Sequence, residues 1–193
     1  MTRKLIRLAA LALTLGAGPA LAHPHANDGE PYEARWSFAI HGGAGTLERA
    51  NTSDAQRAAY MEALEQALEA GSAILREGGS AMDAVETAIV LMEDDPKFNA
   101  GRGAVLTWDG AAELDAAVMD GRAREAGAVT GVTTIRNPIR LARAVMNDGR
   151  HVFLSGEGAE TFARDPALGG ALDTVLPGYF ETDLTAGMRA NET

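Results

Sequence analysis

The residues best suited to chemistry lie in the stretch Asp94–Thr107, where an amide side chain sits among glycines and a proline. Asn99 offers both a hydrogen-bond donor and an acceptor. Gly101 and Gly103 permit backbone angles that other residues avoid. Pro96 lacks an amide hydrogen and therefore ends the helical pattern before it. Such a loop can hold a cation on backbone carbonyls or direct an amide into a site; an ordinary helix-to-strand connection is the alternative.

A second glycine-rich segment, His41–Gly45, follows Trp36–Ile40, whose composition and alternation predict a strand. Glycines after a strand let backbone amides approach a ligand closely. The segment contains neither the Gly-Lys-Ser/Thr of a P-loop nor the Gly-x-Gly-x-x-Gly dinucleotide fingerprint. His41 could act as a ligand or base, although a single histidine at a strand end is more often structural.

Three carboxylates, Glu113, Asp115 and Asp120, follow the central stretch. Paired carboxylates can serve acid–base chemistry or hold a divalent cation. Alternation along a strand places Glu113 and Asp115 on one face, so a solvated strand face explains them more simply. Ser155 lies outside any Gly-x-Ser-x-Gly elbow, which argues against a serine triad built on it.

Composition excludes several classes of function. The chain has 193 residues, enough for one domain, and a formal net charge of −10, which argues against nucleic acid as a partner. It contains no cysteine, which excludes disulfides, thiolate catalysis and cysteine-ligated zinc.

The N-terminus predicts export. Basic residues precede the apolar run Leu8–Ala22, which ends in a small-x-small pattern typical of a signal peptide cleaved after Ala22. We therefore expect residues 1–22 to be removed, residues 23–35 to form a flexible leader, and the protein to be periplasmic or secreted. No other span is long enough to cross a bilayer, so no membrane partner is expected.

The helices that position the central stretch are predicted clearly. N-cap candidates in Asn51–Asp54 begin a helix to about Arg76, and Ser80 caps a second helix that runs into the central stretch. The many alanines in both helices predict close packing. Asn137 and Pro138 begin a third helix, with Asn137 as the cap.

Strand signals follow the central stretch. Asp109-Gly110 predicts a hairpin between 104–107 and 112–119, Gly127–Ile135 reads as a buried strand, and Val152–Leu154 as a short one. After Arg164 the periodicity is lost and Tyr179-Phe180 is an isolated apolar pair, so we assign 164–193 as a linker and 36–163 as the folded portion. This order favours a layered α+β fold over a doubly wound sheet.

Taken together, the motifs resemble a known family, the plant-type asparaginases, which are isoaspartyl peptidases/L-asparaginases of the N-terminal-nucleophile hydrolases. The resemblance runs in order from Trp36 to Ala163. The motifs that carry it are His41-Gly-Gly-Ala-Gly45, Phe98-Asn-Ala-Gly-Arg-Gly103, Glu113-Leu-Asp-Ala-Ala-Val-Met-Asp-Gly121, Ala128-Val-Thr-Gly-Val132, Asn137-Pro-Ile with Leu141-Ala-Arg143 and Val145-Met146, and Gly156-Glu-Gly-Ala-Glu160.

The resemblance implies an αββα four-layer sandwich of which this chain is the N-terminal, α-subunit half. It also implies a precursor that cleaves itself into α and β subunits, which assemble as a dimer of αβ units. The family's nucleophile is a threonine that opens the β subunit in a Thr-Val-Gly-Ala context absent from this sequence, so it is expected beyond Thr193. No catalytic residue is therefore expected in this chain.

The resemblance further implies a structural sodium ion and no organic cofactor. The carbonyls carried over as its ligands are those of Met92, Glu93, Asp95, Phe98, Ala100 and Arg102. Asn99, Gly42 and Gly43 would border the active centre and support it.

The first functional hypothesis is therefore an enzyme fragment. The complete hydrolase would act on the asparagine side-chain amide and on β-aspartyl peptides, and this chain alone would be inactive. The alternative is a secreted, non-catalytic binding or interaction module. A weaker third reading is a divalent-metal protein that uses Glu113, Asp115 and Asp120.

Overall fold

A computed structural model describes residues 36–43, 52–165, 167, 172–183 and 185; the predicted signal peptide and leader lie outside them. In chain order the elements are α1 (Asp54–Arg76), α2 (Ala81–Asp94), a 3₁₀ helix (Gly101–Gly103), β1 (Leu114–Asp120), β2 (Glu125–Val132), α3 (Pro138–Asp148), β3 (Phe153–Ser155), α4 (Gly156–Ala163) and a second 3₁₀ helix (Pro177–Phe180).

Helices α1 and α2 form as their sequences predict. Ser53 caps α1 through a capping box, in which its hydroxyl accepts from the Gln56 amide and the Gln56 side chain accepts from the Ser53 amide. Ser80 caps α2 by accepting from the Asp83 amide. Apart from Glu93 at the end of α2, the buried residues of the two helices are small, including Ala67 and Gly71 on α1, which permits the close packing expected.

Helix α3 begins after Asn137, as predicted, but the Asn137 side chain does not cap it. Asn137 is buried, and its Nδ2 donates to Asp94 Oδ1 at 3.3 Å instead. Pro138 occupies the first turn, and Gly149 ends the helix with a φ of 72°.

The strands form a small mixed sheet in the order β1-β2-β3. Strands β1 and β2 are antiparallel, with Val118 opposite Gly127, whereas β2 and β3 are parallel, with Val129 opposite Leu154. Asp120 builds the connecting turn, because its Oδ1 accepts from the amides of Arg122 and Ala123. Helices and sheet together make an α+β fold.

One strand prediction was wrong and another was confirmed only in part. Trp36–Ile40 is not a strand: no strand pairs with it among the residues that the structure describes, and without a partner its composition alone cannot form a ladder. The hairpin predicted at Asp109-Gly110 is reduced to one bridge between Leu106 and Ala112. The extended hairpin is β1–β2, and β2 ends at Val132, short of the predicted Ile135.

The core lies between α3 and one face of the sheet. Val129 and Val132 meet Leu141 and Val145 there, all almost fully buried. Gly127 allows the close approach, because a Cβ at this position would overlap the Ala142 carbonyl oxygen of α3. The opposite face is open, with the apolar side chains of Ala117, Met119 and Phe153 exposed.

Among the described residues, no helix has the length and apolar character needed to cross a membrane.

Candidate functional site

The segment between α2 and the first 3₁₀ helix, together with that helix, spans residues 95–103 and is called the central loop. Helix α2 stops at Asp94 because Pro96 cannot continue it. The Phe98 amide donates to the Asp95 carbonyl at 3.2 Å, the Ala100 amide to the Phe98 carbonyl at 2.8 Å, and the Gly103 amide to the Ala100 carbonyl at 3.0 Å. The loop therefore has a defined, internally bonded shape.

Glycine is required at two positions of the central loop. Gly101 has a φ of 49°, and a Cβ there would overlap the Glu93 carbonyl oxygen. A Cβ on Gly103 would overlap the carbonyl oxygens of Phe98 and Pro96. Carbonyl oxygens thus crowd against both glycines, which makes an environment rich in oxygen donors of the kind that hard cations prefer.

The carbonyls predicted as cation ligands are partly engaged within the loop. Those of Asp95, Phe98 and Ala100 each accept one backbone hydrogen bond. A carbonyl oxygen carries two lone pairs, so each keeps the capacity for a cation. The remaining predicted ligands, Met92, Glu93 and Arg102, lie in or next to the same loop in sequence.

Asn99 connects the middle of the central loop to the residues that follow the loop. Its Oδ1 accepts from the Val105 amide at 3.0 Å, while the residue itself is exposed. Within the described part of the chain the Asn99 Nδ2 has no hydrogen-bond partner, which leaves it available to a ligand. The residue that the sequence singled out is therefore held by its oxygen and free at its nitrogen.

The second glycine segment meets the central loop at Phe98. A Cβ on Gly42 would lie 3.4 Å from the Phe98 ring and 3.2 Å from Leu64 of α1. Gly43 has a φ of 97° and donates its amide to His41 Nδ1 at 3.0 Å, which gives His41 a local structural role. The rest of the motif, residues 44 and 45, lies outside the described residues. The structure thus places Gly42 beside the loop that carries Asn99.

A cavity of about 210 Å³ opens beside the central loop. Its lining includes Asn99, Gly101, Glu113 and Asp115, together with the buried carboxyl-bearing Glu93. Asn99 and two of the predicted carboxylates therefore face one space.

The divalent-metal reading is not supported by the geometry of these carboxylates. Asp115 Oδ1 accepts from the Gly131 amide at 3.0 Å and from the Thr130 hydroxyl, while Asp120 serves the hairpin turn at the other end of β1. Over the described residues, no three histidine, cysteine, aspartate or glutamate side chains are arranged to hold a metal ion.

Comparison with known proteins identifies the family. Residues 34–186 match the model of an asparaginase family. The chain is 49% identical over 147 residues to the isoaspartyl peptidase of Escherichia coli K12, and 52% over 145 residues to that of Salmonella typhimurium. The chain belongs to this asparaginase family.

The matched region covers most of this chain but less than half of each relative. The Escherichia coli alignment covers 76% of this chain but 44% of the relative, and the Salmonella alignment covers 75% and 45%. A plant-type L-asparaginase of Pyrococcus horikoshii is 50% identical over 125 residues, which are 65% of this chain and 39% of that protein. The asparaginase-family chain therefore spans less than half the length of the curated relatives that it matches.

Two buried glutamates hold the connection between β2 and α3, and the sequence did not single out either side chain. Glu93, 4% exposed, accepts from the Ile139 amide on Oε1 at 3.0 Å, and its buried Oε2 has no partner within the described structure. Burial raises the pKa of Glu93 to about 7, against the opposing effect of the Ile139 bond.

Glu160 of α4 holds the other end of the same connection. Its Oε1 accepts from the Thr133 amide at 2.7 Å, the Thr133 hydroxyl at 2.9 Å and the Thr134 amide at 2.9 Å, and its Oε2 accepts from Arg164 at 3.1 Å. Burial opposes ionisation, but these hydrogen bonds lower the pKa of Glu160 to about 2.

Asp94 accepts hydrogen bonds from three side chains, and the hydrophobic periodicity of the sequence does not indicate this cluster. It pairs with Arg136 through two hydrogen bonds of 3.2 and 2.9 Å, and it also accepts from Asn137 and from the Tyr179 hydroxyl. The isolated Tyr179-Phe180 pair is thereby brought to the central loop.

Proposed function

We propose that this chain is the α-subunit half of a self-cleaving isoaspartyl peptidase/L-asparaginase. The observation that carries the proposal is the match at about 50% identity to proteins with these names, confined to less than half of their length. The meeting of Gly42 with the central loop that carries Asn99 supports it, because both motifs of the resemblance then border one site.

The chemistry would be completed by a β subunit. A threonine at its N-terminus, beyond Thr193, would attack the substrate carbonyl while its own free amine serves as the base. An acyl-threonine would form with release of ammonia or a peptide amine, and water would then release aspartate. Without that half, the present chain lacks both nucleophile and base and is inactive.

Residues of this chain would shape the active centre. The free Nδ2 of Asn99 offers a donor at its edge, and Gly42 and Gly43 let backbone approach closely. Carbonyls of Met92, Glu93, Asp95, Phe98, Ala100 and Arg102 would hold a structural sodium ion, which would stiffen the loop that carries Asn99. No organic cofactor is required.

The open face of the sheet supports the four-layer αββα sandwich. Ala117, Met119 and Phe153 expose an apolar surface opposite the face that α3 covers. The β subunit would supply the second sheet against this surface, and two αβ units would form the dimer. Asparagine and β-aspartyl peptides are the proposed substrates, with neither nucleic acid nor membrane as a partner.

The deciding experiment is the intact mass of the product of the native gene, purified from periplasm and medium. We expect two species, one that begins at His23 and one that begins with threonine, together with ammonia release from asparagine. A single species that ends at Thr193, without a companion chain or hydrolysis, would contradict the proposal. It would leave the alternative, a secreted non-catalytic binding module.

The sodium site has its own test. We expect sodium chloride to raise the melting temperature of the wild-type product relative to choline chloride, and Gly103→Ala to abolish this difference, because a Cβ there displaces the loop carbonyls. Gly121→Ala is the matched control, since a Cβ at Gly121 would meet no atom within 4 Å. Equal sodium responses in both variants would exclude the central loop as the site.

A further inference from the structure

Tyr179 contacts both ends of the central loop. Its hydroxyl donates to Asp94 Oδ1 at 3.3 Å, and Asp94 is the last residue of α2, directly before the loop. Arg102 lies near the other end of the loop, and its guanidinium carbon is 5.4 Å from the centroid of the Tyr179 ring. One side chain therefore spans the loop from end to end, and we call these two contacts the Tyr179 brace.

The ring of Tyr179 is the partner that the structure gives to the Arg102 guanidinium. In the described portion of the chain, no carboxylate lies within ion-pair distance of Arg102, and its buried Nε has no hydrogen-bond partner. The face of an aromatic ring attracts a guanidinium, which corresponds to about a 2- to 30-fold preference for contact over separation. The position of the Arg102 side chain therefore depends on the Tyr179 ring.

Tyr179 is itself held in place by the core. Earlier in the same segment, the Val175 amide donates to the Thr134 carbonyl at 2.7 Å, which fixes the segment to the connection between β2 and α3. Phe180, the next residue along the chain, is 1% exposed in the core and packs edge-on against Tyr179. The brace therefore attaches the central loop to a part of the fold that is fixed independently of the loop.

The central loop carries Asn99 midway between the two contacts of the brace. Asn99 Oδ1 accepts from the Val105 amide at 3.0 Å, so the direction of its free Nδ2 depends on the backbone of the loop. Fixing both ends of a nine-residue segment (residues 95–103) removes many of the conformations that the segment could otherwise adopt. Loss of the brace should therefore loosen the placement of the Asn99 amide.

We propose that Tyr179 is a positioning residue for the hydrolase: by bracing the central loop through Asp94 and Arg102, it holds the Asn99 amide towards the active centre. The effect on catalysis rests on the function proposed above, whereas the brace itself does not. Contact with substrate is no part of this role, because the hydroxyl of Tyr179 is engaged by Asp94 and its ring by Arg102.

Hydrogen exchange of the mature product of the full-length gene tests the brace directly. The amides of Gly103 and Val105 are both hydrogen-bonded at 3.0 Å and report the end of the loop and the hold on Asn99. Tyr179→Leu should speed their exchange by about 2- to 30-fold. Tyr179→Phe keeps the ring and should retain most of the protection. Leu176→Ala, in the same segment but 82% exposed in the wild type, should exchange as the wild type does.

Two further variants keep the exchange experiment decisive. Arg102→Leu removes the other partner of the ring and should speed exchange at Val105 as Tyr179→Leu does, even if Tyr179→Leu fails to fold. Met146→Ala alters a buried core residue away from the loop and should lower the melting temperature without speeding this exchange. Wild-type exchange in Arg102→Leu or Tyr179→Leu, or equal acceleration in Met146→Ala at a matched loss of melting temperature, would overturn the brace.

A double-mutant cycle on asparagine hydrolysis tests whether Tyr179 acts through Asn99. We expect Tyr179→Leu to lower kcat/KM by up to about 30-fold in the wild-type background. In the Asn99→Ala background the same substitution should change kcat/KM by less than about twofold, because the group that it positions is already gone. Equal losses in both backgrounds would overturn the positioning role. Absence of hydrolysis in the wild type would instead overturn the proposed function, and the exchange experiment would still decide the brace.

Discussion

Glu93 and Glu160 hold opposite ends of the connection between β2 and α3, yet the pKa values of their carboxyl groups are shifted in opposite directions. Both residues are less than a tenth exposed. Glu160 receives hydrogen bonds on both oxygens and has a pKa of about 2, whereas Glu93 receives one on Oε1 and has a pKa of about 7. The comparison shows that burial raises the pKa of a carboxyl and that several hydrogen-bond donors together can outweigh it, as they do at Glu160.

Removal of the Glu160 carboxylate, both of whose oxygens accept hydrogen bonds, should lower the free energy of unfolding more than the other substitutions. Glu160→Ala leaves the amides of Thr133 and Thr134 without their acceptor, and we expect unfolding to become easier by about 3–5 kcal/mol. Denaturant unfolding of the gene product measures this change. Glu157→Ala, on the exposed side of the same helix, is the control, and an equal loss in both variants would remove the special role of Glu160.

Neutralisation of the Glu93 carboxyl should raise the free energy of unfolding, whereas removal of the Glu160 carboxylate should lower it. An acid whose pKa is raised in the folded state stabilises the fold fully below its unfolded value and loses this contribution as the pH rises through the folded value. We therefore expect Glu93→Gln to stabilise the protein by up to about 3 kcal/mol above pH 8 and by little at pH 5.

The measurement for Glu93→Gln is denaturant unfolding at both pH values in choline chloride, because a cation on the nearby carbonyls would favour the charged carboxylate. Glu113→Gln, at an exposed position, controls for the change in net charge. If Glu93→Gln is less stable than the wild type at high pH, the assignment of a raised pKa to Glu93 is wrong.

The loss of stability at low pH should depend on the Glu160 carboxylate. A lowered pKa contributes stability above the unfolded value of about 4.5, and this contribution is lost as the pH falls towards about 2. We expect a loss of roughly 1–2 kcal/mol over this range after allowance for solvent screening. Glu160→Gln should flatten this limb in pH-dependent unfolding, and an unchanged limb would assign it to other carboxylates.

Loss of Arg164, the exposed ion-pair partner of Glu160, should have the smallest effect on stability. Arg164 donates to Oε2 at 3.1 Å, but its own side chain is 54% exposed, so the ion pair is largely screened. We expect Arg164→Ala to cost at most about 0.5 kcal/mol. A loss comparable to that of Glu160→Ala would mean that the pair, and not the Thr133 and Thr134 donors, keeps the carboxylate charged.

The sequence predicted the features that depend on neighbours along the chain. The start of α1 within Asn51–Asp54, the cap at Ser80, the close packing of the alanine-rich helices, and the start of α3 at Pro138 all follow from local pattern. The importance of Gly101 and Gly103 was also visible, because two glycines close together just after the end of a helix indicate backbone angles that other residues avoid.

Features that depend on distant residues were missed or wrong. Trp36–Ile40 has strand composition but no strand beside it in the described residues, and pairing cannot be read from one segment alone. Tyr179 and Phe180 show no period, since one aromatic residue that enters a core from a loop leaves none. The states of Glu93 and Glu160 depend on donors from 26 to 46 residues away in sequence.

The short turn built by Asp120 has a consequence for the order in which the chain folds. Hairpin β1–β2 and helix α3 are consecutive in sequence and pack on one another, so the entropy lost in bringing them together is small. Topologies rich in such local contacts form quickly. We therefore expect residues 114–148 to nucleate folding, and the segments on either side, including α1 and residues 173–180, to condense later onto this hairpin and helix.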